Sequence, residues 1–342
     1  MTPSVGVIVP TRGDRPGPLR EAVAGVLGQE HAGRLDVVVV ADGVSALEVT
    51  RQLAGLPGVH VAGQSDELSA GQSDEPSAGL LDERLAERSG GRPAGQRGGA
   101  ERTVRVLRNT RTPGLPGARN SGIDACDTGL IAFCDDDDVW LPGKLTAQIR
   151  ALRDGDGEFA SCGIEVEHRG HRVARLAGVS SVTAADLIRS RMVMVHSSTF
   201  LFRRGELRPD ESAPEGQNED WDLALRAAKR RPLVHIDRPL VLVRWAGSHY
   251  AARWADRIAG LEWMLARHPE LAVDPCGAAR VYGQLAFGHA ALGRRRAAVR
   301  WAARAFTTRP REPRAPIELA VAAGLVSAPT VLSALHTRGH GI

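Results

Sequence analysis

Four adjacent acids, Asp135–Asp138, stand directly after the apolar stretch Leu130–Cys134. Neighbouring carboxylates repel one another unless a cation neutralises them. On a tight turn at a strand's carboxyl end, alternate side chains can converge on one ion, and hard oxygen ligands select Mg²⁺ or Mn²⁺. Either ion usually keeps waters and binds substrate phosphates, so a diphosphate-bearing substrate is the natural partner. A solvated acidic turn is the plainer alternative; the apolar strand before the run and Val139-Trp140 after it favour the metal. A second acid cluster, Asn218-Glu219-Asp220-Trp221-Asp222-Leu223, opens a helical pattern. Asn218 can N-cap that helix, and a helix N-terminus favours negative charge on Asp220. This stabilises the anion, so a base at Asp220 works by position more than by a raised pKa. Ordinary first-turn acids give the same pattern. Asp42 before Gly43 is either a ligand or a plain turn residue. His196, alone in an apolar run, fits a core residue better than a ligand.

The elements that must position these groups alternate. Val5–Val9 reads as a buried strand ending at Pro10, Pro18–Gly28 as a helix, Leu35–Ala41 as a second buried strand and Ala46–Leu53 as a second helix. This order implies an α/β fold with a doubly wound, mostly parallel sheet. Ligands of such sheets bind beyond the carboxyl ends of the strands, which brings Pro10–Arg15 and Asp42 to one site. Thr103–Leu107 is an alternating strand, and a Gly/Pro-rich loop, Asn109–Pro116, leads to a helix from Gly117 to Ala125. Leu130–Cys134 is the third buried strand, Lys144–Leu152 a helix, and Val193–Phe202 and Leu240–Arg244 further strands. Within this first domain, residues 1–252, Ala62–Ser69 is repeated almost unchanged as Ala70–Ser77, and glycine, serine and charge dominate to residue 99. Residues 62–100 cannot bury enough apolar area to offset ordering entropy and read as a disordered surface insertion. Residues 253–342 read as a helical region. Leu285–Leu292 and Arg296–Phe306, with small residues between them, look like one tetratricopeptide-type hairpin. It caps the first domain or mediates self- or protein association.

Composition narrows the function classes. The 342-residue chain has 43% hydrophobic residues, enough for a substantial core, and a net charge of +4. The 44 basic and 40 acidic residues are interleaved, which is no nucleic-acid footprint. Four well-separated cysteines, Cys126, Cys134, Cys162 and Cys276, argue against a disulfide framework and for a reducing, cytoplasmic compartment. No charged leader precedes the first strand, and the apolar stretch Ala315–Leu335 is interrupted by Pro316, Glu318 and Pro329, so no transmembrane segment is expected.

The order of motifs resembles the family 2 glycosyltransferases of GT-A type. The family pattern is a strand ending in Pro-Thr, an Asp-Asp-Gly-Ser-like turn, a Gly-rich loop leading to Ala-Arg-Asn-x-Gly, a strand ending in Asp-x-Asp-Asp-x-Trp, and a Glu-Asp pair opening a helix. Here these read Val9-Pro10-Thr11, Ala41-Asp42-Gly43, Gly117-Ala118-Arg119-Asn120-Ser121-Gly122, Asp135-Asp136-Asp137-Asp138-Val139-Trp140 and Asn218-Glu219-Asp220. The turn lacks the family's first Asp, and Arg12-Gly13 replaces the usual aromatic–Asn. The resemblance implies a GT-A fold with helices on both faces of the sheet, a nucleoside-diphosphate sugar donor, an unknown acceptor and a Mn²⁺ or Mg²⁺ ion. By the same resemblance Pro10, Thr11, Arg12 and Asp42 border the nucleoside, while Asp135 and Asp136 line the ribose and metal. Asp137 is the first choice for direct metal contact, with Asp135 beside it. Arg119 and Asn120 face the nucleotide, or Arg119 braces the acidic turn. Asp220 is the general base, with Glu219 as the fallback, and His196, Arg244 and His249 border the acceptor and diphosphate. Two alternatives use the same aspartate-bound metal: a nucleotidyltransferase and a haloacid-dehalogenase-like phosphatase.

Overall fold

The computed structural model describes residues 2–60, 101–155, 157–168, 170–244 and 253–311, together with 320, 321, 326, 330 and 331. Residues 62–100, His249 and most of Ala315–Leu335 lie outside these. The N-terminal half follows the sequence reading: β1 (Val5–Thr11), α1 (Pro16–Leu27), β2 (Leu35–Ala41), α2 (Ala46–Gln52), β3 (Val59–His60), β4 (Arg102–Arg108), α3 (Leu115–Ala125) and β5 (Leu130–Phe133). After it come β6 (Val139–Trp140), α4 (Lys144–Asp154), β7 (Phe159–His168), β8 (His171–Arg175), β9 (Ser181–Val182), α5 (Ala184–Arg189), β10 (Leu201–Arg203), α6 (Glu219–Arg230) and β11 (Leu233–Arg244). One sheet runs β3-β4-β2-β1-β5-β10-β7-β11-β6, with β8 on β7 and β9 on β11. The run from β3 to β5 is parallel throughout. β10 is antiparallel to both neighbours, β5 and β7, while β7 and β11 are again parallel.

Strand alternation divides the apolar residues between two cores. Val7, Val9, Val37 and Val39 pack with Leu19, Val23 and Leu145 on one face. Ile8, Val38 and Val40 pack with Ile123, Leu223 and Leu225 on the other. Both faces are therefore covered by helices, and the carboxyl ends of β1, β2 and β5 open on one edge.

One expected strand is corrected. Within Val193–Phe202 only Leu201 and Phe202 enter the sheet; Ser197–Thr199 is a single 3₁₀ turn. The polar side chains close it locally: Thr199 Oγ1 donates to the His196 carbonyl at 2.6 Å, and the Ser198 N–H donates to His196 Nδ1 at 3.3 Å. Such bonds compete with a strand ladder.

The third segment consists of α7 (Trp254–Arg267), α8 (Pro275–Ala291) and α9 (Arg295–Thr308). Gly293, at φ +71°, turns the chain between α8 and α9, and Ala286, Ala298 and Ala302 meet at their crossing. Ile258, Leu261 and Tyr282 share an apolar cluster with α6. Among the described residues, no helix is long and apolar enough to cross a membrane.

The helix that carries Arg119 depends on a close backbone approach. A Cβ on Gly117 would lie 1.9 Å from the Thr112 carbonyl oxygen, a backbone atom held by the preceding loop. Gly117→Ala is expected to lower stability by about 1–3 kcal/mol through overpacking, measured as a fall in denaturant midpoint. An unchanged midpoint would show that the loop yields freely.

Candidate active site

The aspartate run turns immediately after β5. The Asp138 N–H donates to the Asp135 carbonyl at 3.1 Å, closing a turn whose first and fourth side chains fall on the same side. His196, from the 3₁₀ turn, lies against both: its Nδ1 is 3.6 Å from Asp138 and its Nε2 3.9 Å from Asp135. One ligand atom from each of Asp135, Asp138 and His196 falls within 4.8 Å of the others. The turn bearing His196 is fixed from several sides. Ser198 Oγ accepts from the Asp135 N–H at 2.9 Å, and Ser197 Oγ donates to Asp135 Oδ2 at 2.9 Å. Behind it, the Trp140 indole donates to the Ser198 carbonyl and Gln148 to the Thr199 carbonyl.

The electrostatics of the run are divided. Burial alone would raise Asp135, but Arg119 and His196 outweigh it and hold its pKa down. Burial pushes Asp136 up to about 6, against the hydrogen bond from Thr11 and the charge of Arg15. Burial raises Asp137, aided by Asp135, and raises Asp138 well above the carboxylate range, aided by Asp135 and Asp137. Asp138 Oδ2 is buried without a hydrogen-bond partner. An orphaned carboxylate oxygen beside another carboxylate and an imidazole is the donor set that a divalent cation completes.

Thr11, at the end of β1, donates to Asp136 at 2.6 Å. Pro10 is buried within β1, and Arg12 beyond it is exposed. Arg15, which the motif reading passed over, holds Asp136 at 2.7 Å and also pairs with Asp137. Asp137 is thus drawn to Arg15, while the inward group is Asp135, Asp138 and His196. Asp42 accepts from the Asn109 side chain at 2.8 Å and from the Gly114 N–H at 2.9 Å, tying the end of β2 to the loop before α3. Asn120 donates to the Pro209 carbonyl and to Glu211. Arg244, at the end of β11, pairs with Glu21, and its backbone bonds the Asp138 carboxylate.

Arg119 links the two acid clusters. Its side chain is 1% exposed and pairs with both Asp135 and Glu219, so it braces the acidic turn and fixes the start of α6 to it. Asp220, the next residue, is also buried. Burial opposes its ionisation, but Arg191, His196 and Arg119 outweigh that and keep its pKa low. Arg191, unforeseen from sequence, holds both carboxylate oxygens at 3.0 and 3.1 Å. Asn218 stands at the N-cap position of α6 in a left-handed conformation and makes no side-chain cap bond, contrary to expectation. Among the described residues the non-glycine positions with positive φ are Met192, Glu215 and Asn218. Two of these adjoin Arg191 and Glu219, and backbone strain of this kind concentrates at functional sites.

Residues 96–207, which include Arg119, the aspartate run and His196, match the model of "Glycosyl transferase family 2". A curated relative from Escherichia coli, UDP-Glc:alpha-D-GlcNAc-diphosphoundecaprenol beta-1,3-glucosyltransferase WfgD, is 26% identical over 134 residues. That match covers 39% of this chain and about half, 52%, of the relative's length. S. aureus TarS 1–349 in complex with UDP-GlcNAc superposes with a TM-score of 0.54 at 12% identity, covering 98% of this chain and 92% of that one. The mannosyltransferase PcManGT from Pyrobaculum calidifontis, in complex with GDP-Man and Mn²⁺, gives a TM-score of 0.50 at 18% identity over 95% and 81% of the two chains. These two show the fold, and neither the nucleotidyltransferase nor the phosphatase alternative gains support. Motif order, sheet topology and the match across the aspartate turn agree: residues 96–207 are similar to the family 2 glycosyltransferases, and the chain has a GT-A fold.

Proposed function

We propose that the chain transfers a sugar from a nucleoside-diphosphate sugar to an acceptor hydroxyl with inversion, that it requires Mn²⁺ or Mg²⁺, and that Asp220 is the general base. The observation that carries this reading is the buried guanidinium of Arg119, which holds Glu219 and Asp135 together. It makes one rigid unit of an acid on α6 and a cation-binding turn at β5. Inverting transfer needs a carboxylate that accepts the acceptor's proton as its oxygen attacks the anomeric carbon. The new carbon–oxygen bond forms as the bond to the diphosphate breaks, and the proton passes to Asp220. The low pKa of Asp220 keeps it ionised and ready to accept that proton. Asp135, Asp138 and His196 would hold the cation, with Asp137 the other carboxylate within reach of the turn. When bound, the cation offsets the charge on the departing nucleoside diphosphate. Arg15 brings a further positive charge to the same edge, and Thr11 fixes Asp136 beside it. The UDP-Glc, UDP-GlcNAc and GDP-Man in the names of the similar proteins support a UDP- or GDP-sugar donor. Free thiols at Cys126, Cys134, Cys162 and Cys276 suit a cytoplasmic setting.

The cation requirement has a signed pH dependence. A carboxyl whose folded pKa is raised, such as Asp136 at about 6, favours the folded state below its unfolded pKa. That contribution is lost as pH rises through the folded value. This contribution of Asp136 to the metal-free chain is therefore lost between about pH 4 and pH 6, and a divalent cation offsets the loss once the carboxyls ionise. The thermal shift on adding Mn²⁺ is expected to be clearly larger at about pH 7 than at about pH 5, and to shrink in Asp138→Asn. Hydrolysis of UDP- or GDP-sugars should show the same cation requirement. A Mn²⁺ shift that is equal at both pH values and indifferent to Asp138→Asn would remove the metal assignment.

A further inference from the structure

Positive and negative charge are interleaved along the chain except in one stretch. Residues 275–311, the α8–α9 hairpin and the residues just after it, hold eight arginines and no acid. Without those eight, 36 of the 44 basic residues remain against 40 acids, so the positive excess of the chain belongs to this hairpin. α9 buries Ala298, Ala302 and Ala305. On its outward side Val299 is 52% and Phe306 45% exposed, with Ala303 exposed between them. These three positions follow the helical repeat and form one apolar stripe. At 3.6 residues per turn, Arg295 falls on one side of the stripe and Arg296 and Arg300 on the other, and all three are exposed. Arg304 stands over the Tyr282 and Trp301 rings, 4.4 and 5.4 Å from their centroids. No carboxylate among the described residues pairs with Arg294, Arg295, Arg296, Arg300 or Arg304. An apolar stripe edged by unpaired guanidiniums matches a partner that offers anions and hydrocarbon together.

We propose that the outward face of α9 docks on the surface of an anionic lipid bilayer. Val299, Ala303 and Phe306 enter the headgroup layer, and Arg295, Arg296 and Arg300 meet lipid phosphates. A basic helix face with an apolar stripe binds in this way, lying in the plane of the interface. Arginine suits the position because its stem can lie along apolar surface while its head stays among phosphates. Charge complementarity separates this partner from the others. A second copy of the same face would set guanidiniums against guanidiniums, which repel. Residues 312–342 bring two acids and two arginines, hence no net counter-charge. A nucleic acid would meet the arginines through its phosphates but would give Val299 no apolar partner. Docking places the chain where lipid-carried acceptors are; that consequence rests on the transferase reading, whereas the docking does not.

The test is co-sedimentation of the full chain with vesicles of phosphatidylcholine alone or mixed with phosphatidylglycerol, without divalent metal or nucleotide sugar. The chain is expected to sediment with the anionic vesicles only, and less as salt is raised. Replacing Arg295, Arg296 and Arg300 together by Gln should weaken binding about a hundredfold, at about fivefold for each guanidinium lost. Phe306→Ser should weaken it about five- to tenfold through lost apolar burial. Leu47→Ser, a comparable change at an exposed leucine on α2, should leave it unaltered. All these side chains are exposed, so denaturant midpoints should stay near wild type. No binding to the anionic vesicles would overturn the proposal, as would binding that the triple substitution leaves intact or that Leu47→Ser weakens as much as Phe306→Ser. A uridine oligonucleotide that binds more tightly than the vesicles, indifferent to Phe306→Ser, would make this a nucleic-acid surface and equally overturn it. Because donor and metal are absent, failure here leaves the transferase reading untouched. Docking by a chain that turns over no nucleotide sugar would sink that reading alone.

Discussion

Replacing Asp220 by Asn is expected to lower kcat for sugar transfer by about 10²–10⁴-fold, the usual contribution of a positioned general base. The side chain keeps its shape and can still accept hydrogen bonds from Arg191 and from the Trp221 N–H, which donates to Asp220 Oδ1 at 2.8 Å. Folding is therefore largely preserved, and the KM for the donor should change little, since the aspartate turn is untouched. What disappears is the negative charge that receives the proton. Glu219 provides the internal control. It is locked to Arg119, and its Oε2 is buried without a partner, so it has little freedom to reach an acceptor. Glu219→Gln should therefore act through the positioning of the turn and raise the apparent cation requirement, with a smaller fall in kcat at saturating metal. If Asp220→Asn transfers sugar at near wild-type rate while Glu219→Gln does not, the two roles are exchanged.

The division between what the sequence discloses and what it hides follows from the range of each interaction. Val5–Val9, Val37–Ala41 and Leu130–Cys134 are apolar runs without a charged residue, the pattern of a strand buried on both faces. The place of the acid run at the end of the third was legible for that reason, and so was the pairing with the Glu219-Asp220 helix. The choice among the four carboxylates was not. It depends on the turn closed by Asp138 and Asp135, which puts the first and fourth side chains together with His196; alternation along an extended chain would instead have paired Asp135 with Asp137. The His196 turn was hidden because bonds between the Thr199 hydroxyl and the His196 backbone, and from the Ser198 N–H to the His196 ring, overrode an apolar, β-branched stretch. Arg191 carries no local signal either, and the strand-end rule that brings Pro10–Arg15 to the site does not single out Arg15 within that stretch. In a chain whose 44 basic residues are almost all arginine, nothing short of the tertiary fold singles out the pair that face Asp136 and Asp220. β11 was seen only in its last five residues, because the register shifts on either side of Pro239 break its pattern.

Arg119→Leu is expected to cost about 3–5 kcal/mol of folding stability, the penalty for removing one partner of a buried ion pair. The site makes the high end reasonable. Arg119 is buried on the face of Phe133, 5.2 Å from the ring centroid, and serves two acids from different elements, so its loss leaves both Asp135 and Glu219 with less compensation. A Leu fills the space along the Phe133 ring, so the loss is electrostatic rather than a cavity. Arg119→Lys keeps one positive charge but cannot present two N–H directions in one plane, and should recover only part of the stability. Removing the stranded acid should help: Arg119→Leu with Glu219→Gln is expected to be more stable than Arg119→Leu alone, a non-additivity that residues in direct contact show. Denaturant midpoints of the four proteins measure this directly. A bracing role alone would move stability and leave the cation requirement where it was. If Asp135 belongs to the proposed cation-binding group, the Arg119→Leu protein should also be rescued by Mn²⁺, with a larger thermal shift than wild type, since the ion supplies some of the positive charge that the turn has lost. A Mn²⁺ shift no larger than that of the wild type, together with an unaltered denaturant midpoint, would mean that Arg119 is incidental to the turn.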